Sequence, residues 1–150
     1  MKTSTKNPFV LMLFSLLMGV FVTVSFLETP LKFQVPGITL PVALELGKLM
    51  FGISTQIQCV FLLLIVGIMV FNRKSFKKID FIVIGALFFL IIIQKFWMLP
   101  VLDARADLLS LGKPVSPSEL HNYFIYSEVA KTILLIIAIV FQFKIKKTNN

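Results

Sequence analysis

Four long runs of apolar residues, separated by shorter polar segments, dominate the pattern along the chain. They lie at about residues 9–27, 49–71, 81–99 and 123–143. Each run is close to the roughly 20 residues that cross the hydrocarbon core of a bilayer as a helix. The apolar positions are continuous rather than alternating, which favours helices over the strands of a membrane barrel. The sequence therefore predicts an all-α fold: a single domain formed by a bundle of four transmembrane helices.

The composition supports this prediction. Of the 150 residues, 57% are hydrophobic and 15% are charged, whereas soluble domains average about 45–50% and about 25%. A soluble domain of this size could not bury so much apolar surface. The single cysteine also argues against a small secreted domain held by disulfides. These observations exclude a water-soluble enzyme and a disordered chain, and they make the lipid bilayer the first expected partner.

The net charge of +8 is unevenly distributed. The basic residues of three segments (the N-terminus, the connection after the second run, and the tail) are Lys2, Lys6, Arg73, Lys74, Lys77, Lys78, Lys144, Lys146 and Lys147. The same segments contain one acidic residue, Asp80, so the remaining six basic and six acidic residues balance. The positive-inside rule then predicts that both termini are cytoplasmic. Anionic lipid headgroups explain the basic rim, and no nucleic-acid partner is expected.

The first run allows an alternative interpretation. Lys2 and Lys6 followed by an apolar stretch resemble a signal peptide, with Thr23-Val-Ser25 as a weak cleavage site. The run is longer than a usual signal core and lacks an Ala-x-Ala ending, so we expect it to remain as an anchor. Cleavage would leave the orientation of the other three spans unchanged.

Two longer outer loops are expected, at residues 28–48 and 100–116. Pro41 suits the first turn of a helix, so the second span should begin near it, outside the lipid. The segment Ser116-Pro-Ser-Glu119 has the form of a capping box. It predicts that the fourth helix begins near Pro117 and continues to about Lys144.

Polar residues recur at one depth in all four spans, about 20–24 Å above the cytoplasmic ends at 1.5 Å per residue. Ionisable groups inside a membrane normally face the bundle interior or a watery cavity. The sequence therefore predicts an outward-facing charged pocket that binds or passes a small polar or ionic ligand. The predicted ligand-binding residues are Glu28, Glu45, Lys48, Gln56, Lys95, Arg105, His121, Glu128 and Lys131.

Two other functions stay open. The buried charges could pair with one another and only fix helix packing in a non-catalytic accessory or assembly protein, since Glu128 and Lys131 are three residues apart on one helix. A membrane-embedded metal-dependent or redox enzyme is a further alternative, although no ligand spacing predicts a metal site and no cofactor or catalytic residue is identified. A transporter of four short spans would need a homo-oligomer or another membrane protein as partner.

Three short segments and one histidine carry a family resemblance: Glu28-Thr-Pro-Leu-Lys-Phe33, Gly47-Lys-Leu-Met-Phe51, Leu99-Pro-Val-Leu-Asp-Ala-Arg105 and His121. With these the chain resembles small bacterial four-helix membrane proteins of unknown function, similar to the transmembrane protein 205-like domain. The resemblance implies four helices in the bacterial cytoplasmic membrane. It also implies that Arg105 and His121 belong to the outer surface. Met50 interrupts the family's Gly-Lys-Leu-Phe pattern, and the resemblance implies no activity.

Overall fold

A computed structural model describes residues 2–146; Met1 and residues 147–150, and with them the predicted charge of Lys147, lie outside the described residues. Four long helices make up most of the chain: α1 (Pro8–Gln34), α2 (Leu40–Phe71), α3 (Lys78–Ser110) and α4 (Leu120–Val140). All four are long and apolar enough to cross a membrane. The prediction of a four-helix transmembrane bundle is confirmed.

The helices alternate in direction, and each packs against its neighbour in the chain, while α1 also packs against α4 to close the bundle. The apolar core fills the half nearest the termini. From α1 it takes Val10, Phe14, Leu17 and Phe21, which are spaced by three or four residues and therefore share one helix face. Residues such as Leu62, Ile65 and Leu87 of α2 and α3 meet that face.

A two-stranded antiparallel ribbon joins the ends of the described chain. Strand β1 (Lys2–Thr5) pairs with β2 (Phe143–Lys146), with Thr5 opposite Phe143. The backbone N–H of Lys6 extends the pairing by donating to the carbonyl oxygen of Gln142 at 2.7 Å. The prediction that the fourth helix reaches Lys144 is wrong, because the chain leaves the helix after Val140 and pairs with the N-terminal segment instead.

A buried ion pair holds the first helix to the third beside this ribbon. The Lys6 ammonium lies 2.7 and 2.6 Å from the two carboxylate oxygens of Asp80. Asp80 also accepts the backbone N–H of Lys77 at 2.7 Å and so caps the start of α3. The ribbon, Lys6 and the connection at residues 72–77 therefore lie at one end of the bundle, which we call the inner end. The opposite end is the outer end.

The two outer connections are shorter than predicted. Helix α1 continues past Glu28 to Gln34, and α3 continues past Pro100 to Ser110, so that only residues 35–39 and 111–119 connect the helices. Proline ends helices in water, but in a bundle its freed carbonyl can be satisfied by neighbouring side chains and local π turns. In α1 the residue before Pro30, Thr29, donates both its hydroxyl, at 2.8 Å, and its backbone N–H to the Val24 carbonyl oxygen within such a π turn.

The two helices that continue through an interior proline, α1 at Pro30 and α3 at Pro100, have a π turn just before it. These turns span Thr23–Glu28 in α1 and Gln94–Met98 in α3. The carbonyl that each proline ring would meet belongs to Phe26 or Phe96, four residues earlier, and lies inside the π turn. The wider turn relieves that contact without ending the helix. Such turns often occur at functional sites.

The predicted starts of α2 and α4 differ in outcome. Helix α2 begins at Leu40 with Pro41 in its first turn, as predicted. Helix α4 begins at Leu120 rather than near Pro117, and the predicted capping box does not form. Instead, the Ser116 carbonyl oxygen accepts a hydrogen bond from Arg105 at 2.6 Å, and the Ser118 hydroxyl accepts the Leu120 N–H at 3.2 Å.

Candidate functional site

A charged pair lies in the interior of the bundle on one face of α4. The Lys131 ammonium is 2.7 Å from a carboxylate oxygen of Glu128, and the two residues are 2% and 5% exposed. Helix geometry explains the contact, since side chains three residues apart lie on the same face. The predicted pairing along α4 is therefore present.

Every other helix contributes a polar side chain to this pair. The Gln94 amide of α3 donates to Glu128 at 2.6 Å and to the Ser127 hydroxyl at 2.5 Å. The Ser25 hydroxyl of α1 donates to the other carboxylate oxygen of Glu128. The Gln58 carbonyl oxygen of α2 accepts from Lys131 at 2.9 Å. We call this set the central network: Ser25, Ser54, Gln58, Gln94, Ser127, Glu128 and Lys131.

The central network satisfies its charges directly. The Gln58 amide nitrogen also donates a hydrogen bond to the Ser54 hydroxyl at 3.1 Å. The Lys131 ammonium lies 4.6 Å from the ring centroid of Phe21. Removing one partner of a buried pair leaves the other charge uncompensated, whereas an intact pair adds little net stability. The arrangement of direct contacts fits a role in fixing the register of the four helices.

Two predicted pocket residues lie on the outside of the bundle. Gln56 and Lys95 are exposed, while Gln58 and Gln94 occupy the interior positions at the same depth. The buried face of α2 is set by Ser54, Gln58, Leu62, Ile65 and Met69, and that of α3 by Leu87, Ile91, Gln94 and Met98. The structure therefore does not bring Gln56 and Lys95 to the predicted pocket, because neither residue shares its helix's buried face.

A half-open cavity of about 600 Å³ lies between the outer parts of the four helices. Its walls are mainly apolar, and the apolar lining residues include Phe26, Phe33, Ala43, Leu44, Phe51, Leu99, Leu102, Ala106, Leu109, Phe124 and Ile125. Ser25 and Glu128 also line it, so the central network forms part of its inner wall. We call this space the outer cavity.

Four of the nine predicted ligand-binding residues line the outer cavity: Lys48, Arg105, His121 and Glu128. The lining does not include Glu28, Glu45, Gln56, Lys95 or Lys131. Lys131 lies within the central network, and Glu45 is exposed. Glu28 is half-buried on α1, and one of its carboxylate oxygens is buried without a hydrogen-bond partner among the described residues. The structure thus brings together only part of the predicted set.

The cations at the rim of the outer cavity already have partners. The Lys48 ammonium contacts the carboxylates of Asp107 and, at 3.2 Å, Glu45. The Arg105 guanidinium donates to the Ser116 carbonyl oxygen. Among the described residues, Lys48 is thus paired with carboxylates, whereas Arg105 has a hydrogen-bond partner but no ion pair.

Lys32, which the sequence analysis did not select, is the exception. It is only 6% exposed and lines the outer cavity, yet within residues 2–146 its ammonium makes no hydrogen bond and no ion pair. The ammonium faces the rings of Phe33 and Phe51, 5.4 and 5.8 Å from their centroids. The signal in the sequence was the position of Lys32 one turn after Glu28, but ending the first span at residue 27 placed Lys32 in a loop.

Gly47 of α2 gives the Lys32 ammonium its space. A Cβ atom at this position would lie 2.6 Å from the Lys32 Nζ atom, so any larger residue would displace the ammonium. Gly52, on the same helix, has no atom within 4 Å of such a Cβ. The close approach of Lys32 to α2 therefore depends on glycine at position 47.

Among the described residues, no buried polar side chain lies between the central network and the inner end. Below the central network, the buried side chains described are apolar down to Asp80 and Gln142 at the inner end. Among the described residues, no group of three His, Cys, Asp or Glu side chains is placed to hold a metal ion. Within residues 2–146, the chemical features of the site are thus an apolar cavity, the unpartnered ammonium of the largely buried Lys32 and a paired polar floor.

Comparison with known proteins adds nothing to this site: no family model, curated protein or solved structure matches the chain. The resemblance to the transmembrane protein 205-like domain stays a prediction.

Proposed function

We propose that the protein is a membrane-embedded binding protein whose outer cavity holds an amphiphilic small molecule. The observation that carries this proposal is the cavity itself, about 600 Å³ of mainly apolar space that contains a buried ammonium. Ligand sites of about 300–1,000 Å³, lined by apolar and aromatic side chains with a few polar groups, are typical of proteins.

The lining favours an amphiphile over the small polar or ionic ligand expected from the sequence. An acyl or prenyl chain would fill the space beside apolar lining residues such as Phe33, Leu102 and Phe124, whereas a small polar ligand would leave much of that apolar surface uncovered. Binding is also favoured over passage, because the apolar core separates the cavity from the inner end.

A cavity-filling variant tests this function. Ala106 lines the outer cavity, while Ala104, on the same helix, is exposed and does not. We expect Ala106→Trp to remove amphiphiles that co-purify with the wild-type protein, as measured by mass spectrometry of the bound small molecules. Ala104→Trp is the matched control and should retain them. Equal ligand content in both variants would contradict the proposal.

A second function, that of an accessory protein without a ligand, is favoured by the central network. Its charges are matched directly by side chains of all four helices, as expected if they only fix packing. Such a protein would act by contacting another membrane protein or a second copy of itself. This alternative would be supported if purified wild-type protein carried no amphiphile and if cells with Ala106→Trp behaved like cells with the wild-type protein.

We also propose a location in a bacterial cytoplasmic membrane, with both termini in the cytoplasm. This orientation is supported by the basic residues at the inner end, including Lys6, Arg73 and Lys78. In a Cys59→Ser background, a membrane-impermeant maleimide added to intact cells should label Lys113→Cys and spare Ser75→Cys. The reverse labelling would invert the topology.

A further inference from the structure

We infer that Lys32 is the anchor for the anionic headgroup of the ligand, so that the outer cavity selects single-chain amphiphiles ending in a carboxylate or a phosphate. This inference rests on the proposed function and names its ligand class. The juxtaposition behind it is the ammonium of a largely buried lysine, without an anionic partner among the described residues, at the wall of an apolar cavity.

The first argument is electrostatic. A buried cation is costly unless an anion or several hydrogen bonds compensate it, and Lys131 shows how this chain meets that need. Lys131 has a carboxylate at 2.7 Å and an amide oxygen at 2.9 Å. Lys32 has neither and contacts two aromatic rings instead. Cation–π contacts stabilise a lysine only partly, which leaves its three N–H donors available to a ligand.

The second argument concerns the other charges in and beside the cavity, among which Arg105 donates to the Ser116 carbonyl oxygen. Glu128 is committed to Lys131, Gln94 and Ser25. Asp103 and Lys48 lie at the outer rim, where Lys48 also pairs with Asp107. Glu28, one turn before Lys32, is close enough to attract it but makes no ion pair with it. An incoming anion would therefore meet an ammonium that no carboxylate of the described chain already neutralises by contact.

The third argument is the fit between α1 and α2. The Lys32 ammonium occupies the space that a side chain at position 47 would fill, and glycine there allows the close approach. The ammonium is thereby held at the cavity wall between Phe33 and Phe51 rather than extended into water. A headgroup bound to it would direct its chain into the apolar space lined by residues such as Leu102 and Phe124.

The test uses the full chain in a non-ionic maltoside detergent and four probes: dodecyl phosphate, dodecanoate, dodecanol and inorganic phosphate. Affinities are measured by isothermal titration calorimetry. We expect the two anionic amphiphiles to bind about tenfold or more tightly than dodecanol, the range of a charged hydrogen bond. Inorganic phosphate alone should not bind measurably, because it lacks the alkyl chain that makes the apolar contacts with the cavity. The two anions also distinguish a phosphate headgroup from a carboxylate.

Two lysine variants test whether the preference for anionic amphiphiles comes from Lys32. Lys32→Gln should reduce the affinity for both anionic probes to that for dodecanol. Lys95→Gln is the matched control: Lys95 also lies over the ring of its neighbour Phe96, at 5.8 Å, but on the exposed face of α3. It should retain the preference. A preference that survives Lys32→Gln would overturn the inference.

A second pair of variants keeps the inference testable if Lys32→Gln does not fold. Gly47→Ala displaces the ammonium without removing it and should weaken the anion preference, whereas Gly52→Ala should leave it unchanged. Equal binding of dodecanol and the two anions by the wild type would reject the anchor and leave the binding function intact. Failure of every amphiphile to bind would reject the binding function itself.

Discussion

The central network and the outer cavity each contain a buried lysine, and the two lysines are treated in opposite ways. Lys131 is surrounded by a carboxylate, an amide and a ring from three helices. Lys32 is held against two rings at the wall of an open space and has no anionic contact within the described residues. We propose that the charge satisfied within the protein serves packing, while the charge left without an anionic contact beside the cavity is available to a ligand. Burial alone does not distinguish these two roles.

The largest expected effect comes from breaking the network at its acid. Glu128→Leu leaves Lys131 buried without its carboxylate, which should lower the free energy of unfolding by about 3–5 kcal/mol. Denaturant unfolding in detergent measures this loss. The double variant Glu128→Leu with Lys131→Leu should recover much of it, because a buried pair can be replaced by apolar side chains at little cost. A double variant as unstable as the single one would show that apolar side chains cannot replace the pair.

The next test compares the two lysines directly. Lys131→Met removes the cation that compensates Glu128 and should lower the free energy of unfolding by about 3 kcal/mol. Lys32→Met replaces an unpartnered buried cation with an apolar side chain of similar length, so it should leave the stability of the ligand-free protein unchanged or raised. Similar losses in both variants would show that Lys32 has a structural partner after all.

A smaller effect separates the two glutamines of α2. Gln58→Leu removes the amide that accepts from Lys131 and should cost about 1–3 kcal/mol. Gln56→Leu, on the exposed face, should change the free energy of unfolding by no more than about 0.5 kcal/mol. Thermal unfolding of the two variants side by side checks this. A larger loss for Gln56→Leu would place the polar face of α2 on the side that the sequence analysis assigned.

The smallest effect concerns the glycines beside the cavity. Gly52→Ala gains helix propensity with no steric contact and should raise the free energy of unfolding by up to about 1 kcal/mol. Gly47→Ala has the same intrinsic gain but must displace the Lys32 ammonium, so its gain should be smaller. Denaturant titration of both variants measures the difference. Equal gains would mean that Lys32 does not need the space at position 47.

The apolar runs predicted four spans because the backbone in lipid has few alternatives, and the shared depth of polar residues predicted a convergence near Glu128 and Lys131. It was harder to predict which face of each helix is buried in the bundle. Helices that are apolar on every side carry no amphipathic stripe, so the choice between Gln56 and Gln58 depended on tertiary packing. The outer cavity could not be predicted because its walls include the parts of α1 and α3 that continue beyond Pro30 and Pro100. These helices continue because a π turn precedes each proline. Rules for helix ends in water place a boundary there, and this is why Lys32 was missed.

The most direct measurement of the central claim is the shift in thermal unfolding midpoint caused by saturating dodecyl phosphate in the wild type, Lys32→Gln and Gln58→Leu. A ligand that binds only the folded state raises the midpoint. We predict that Gln58→Leu begins at a lower midpoint and keeps the full shift, whereas Lys32→Gln begins near the wild-type midpoint and keeps only the smaller shift that dodecanol causes. Loss of the shift in Gln58→Leu and its retention in Lys32→Gln would contradict the assignment of packing to the central network and binding to the outer cavity.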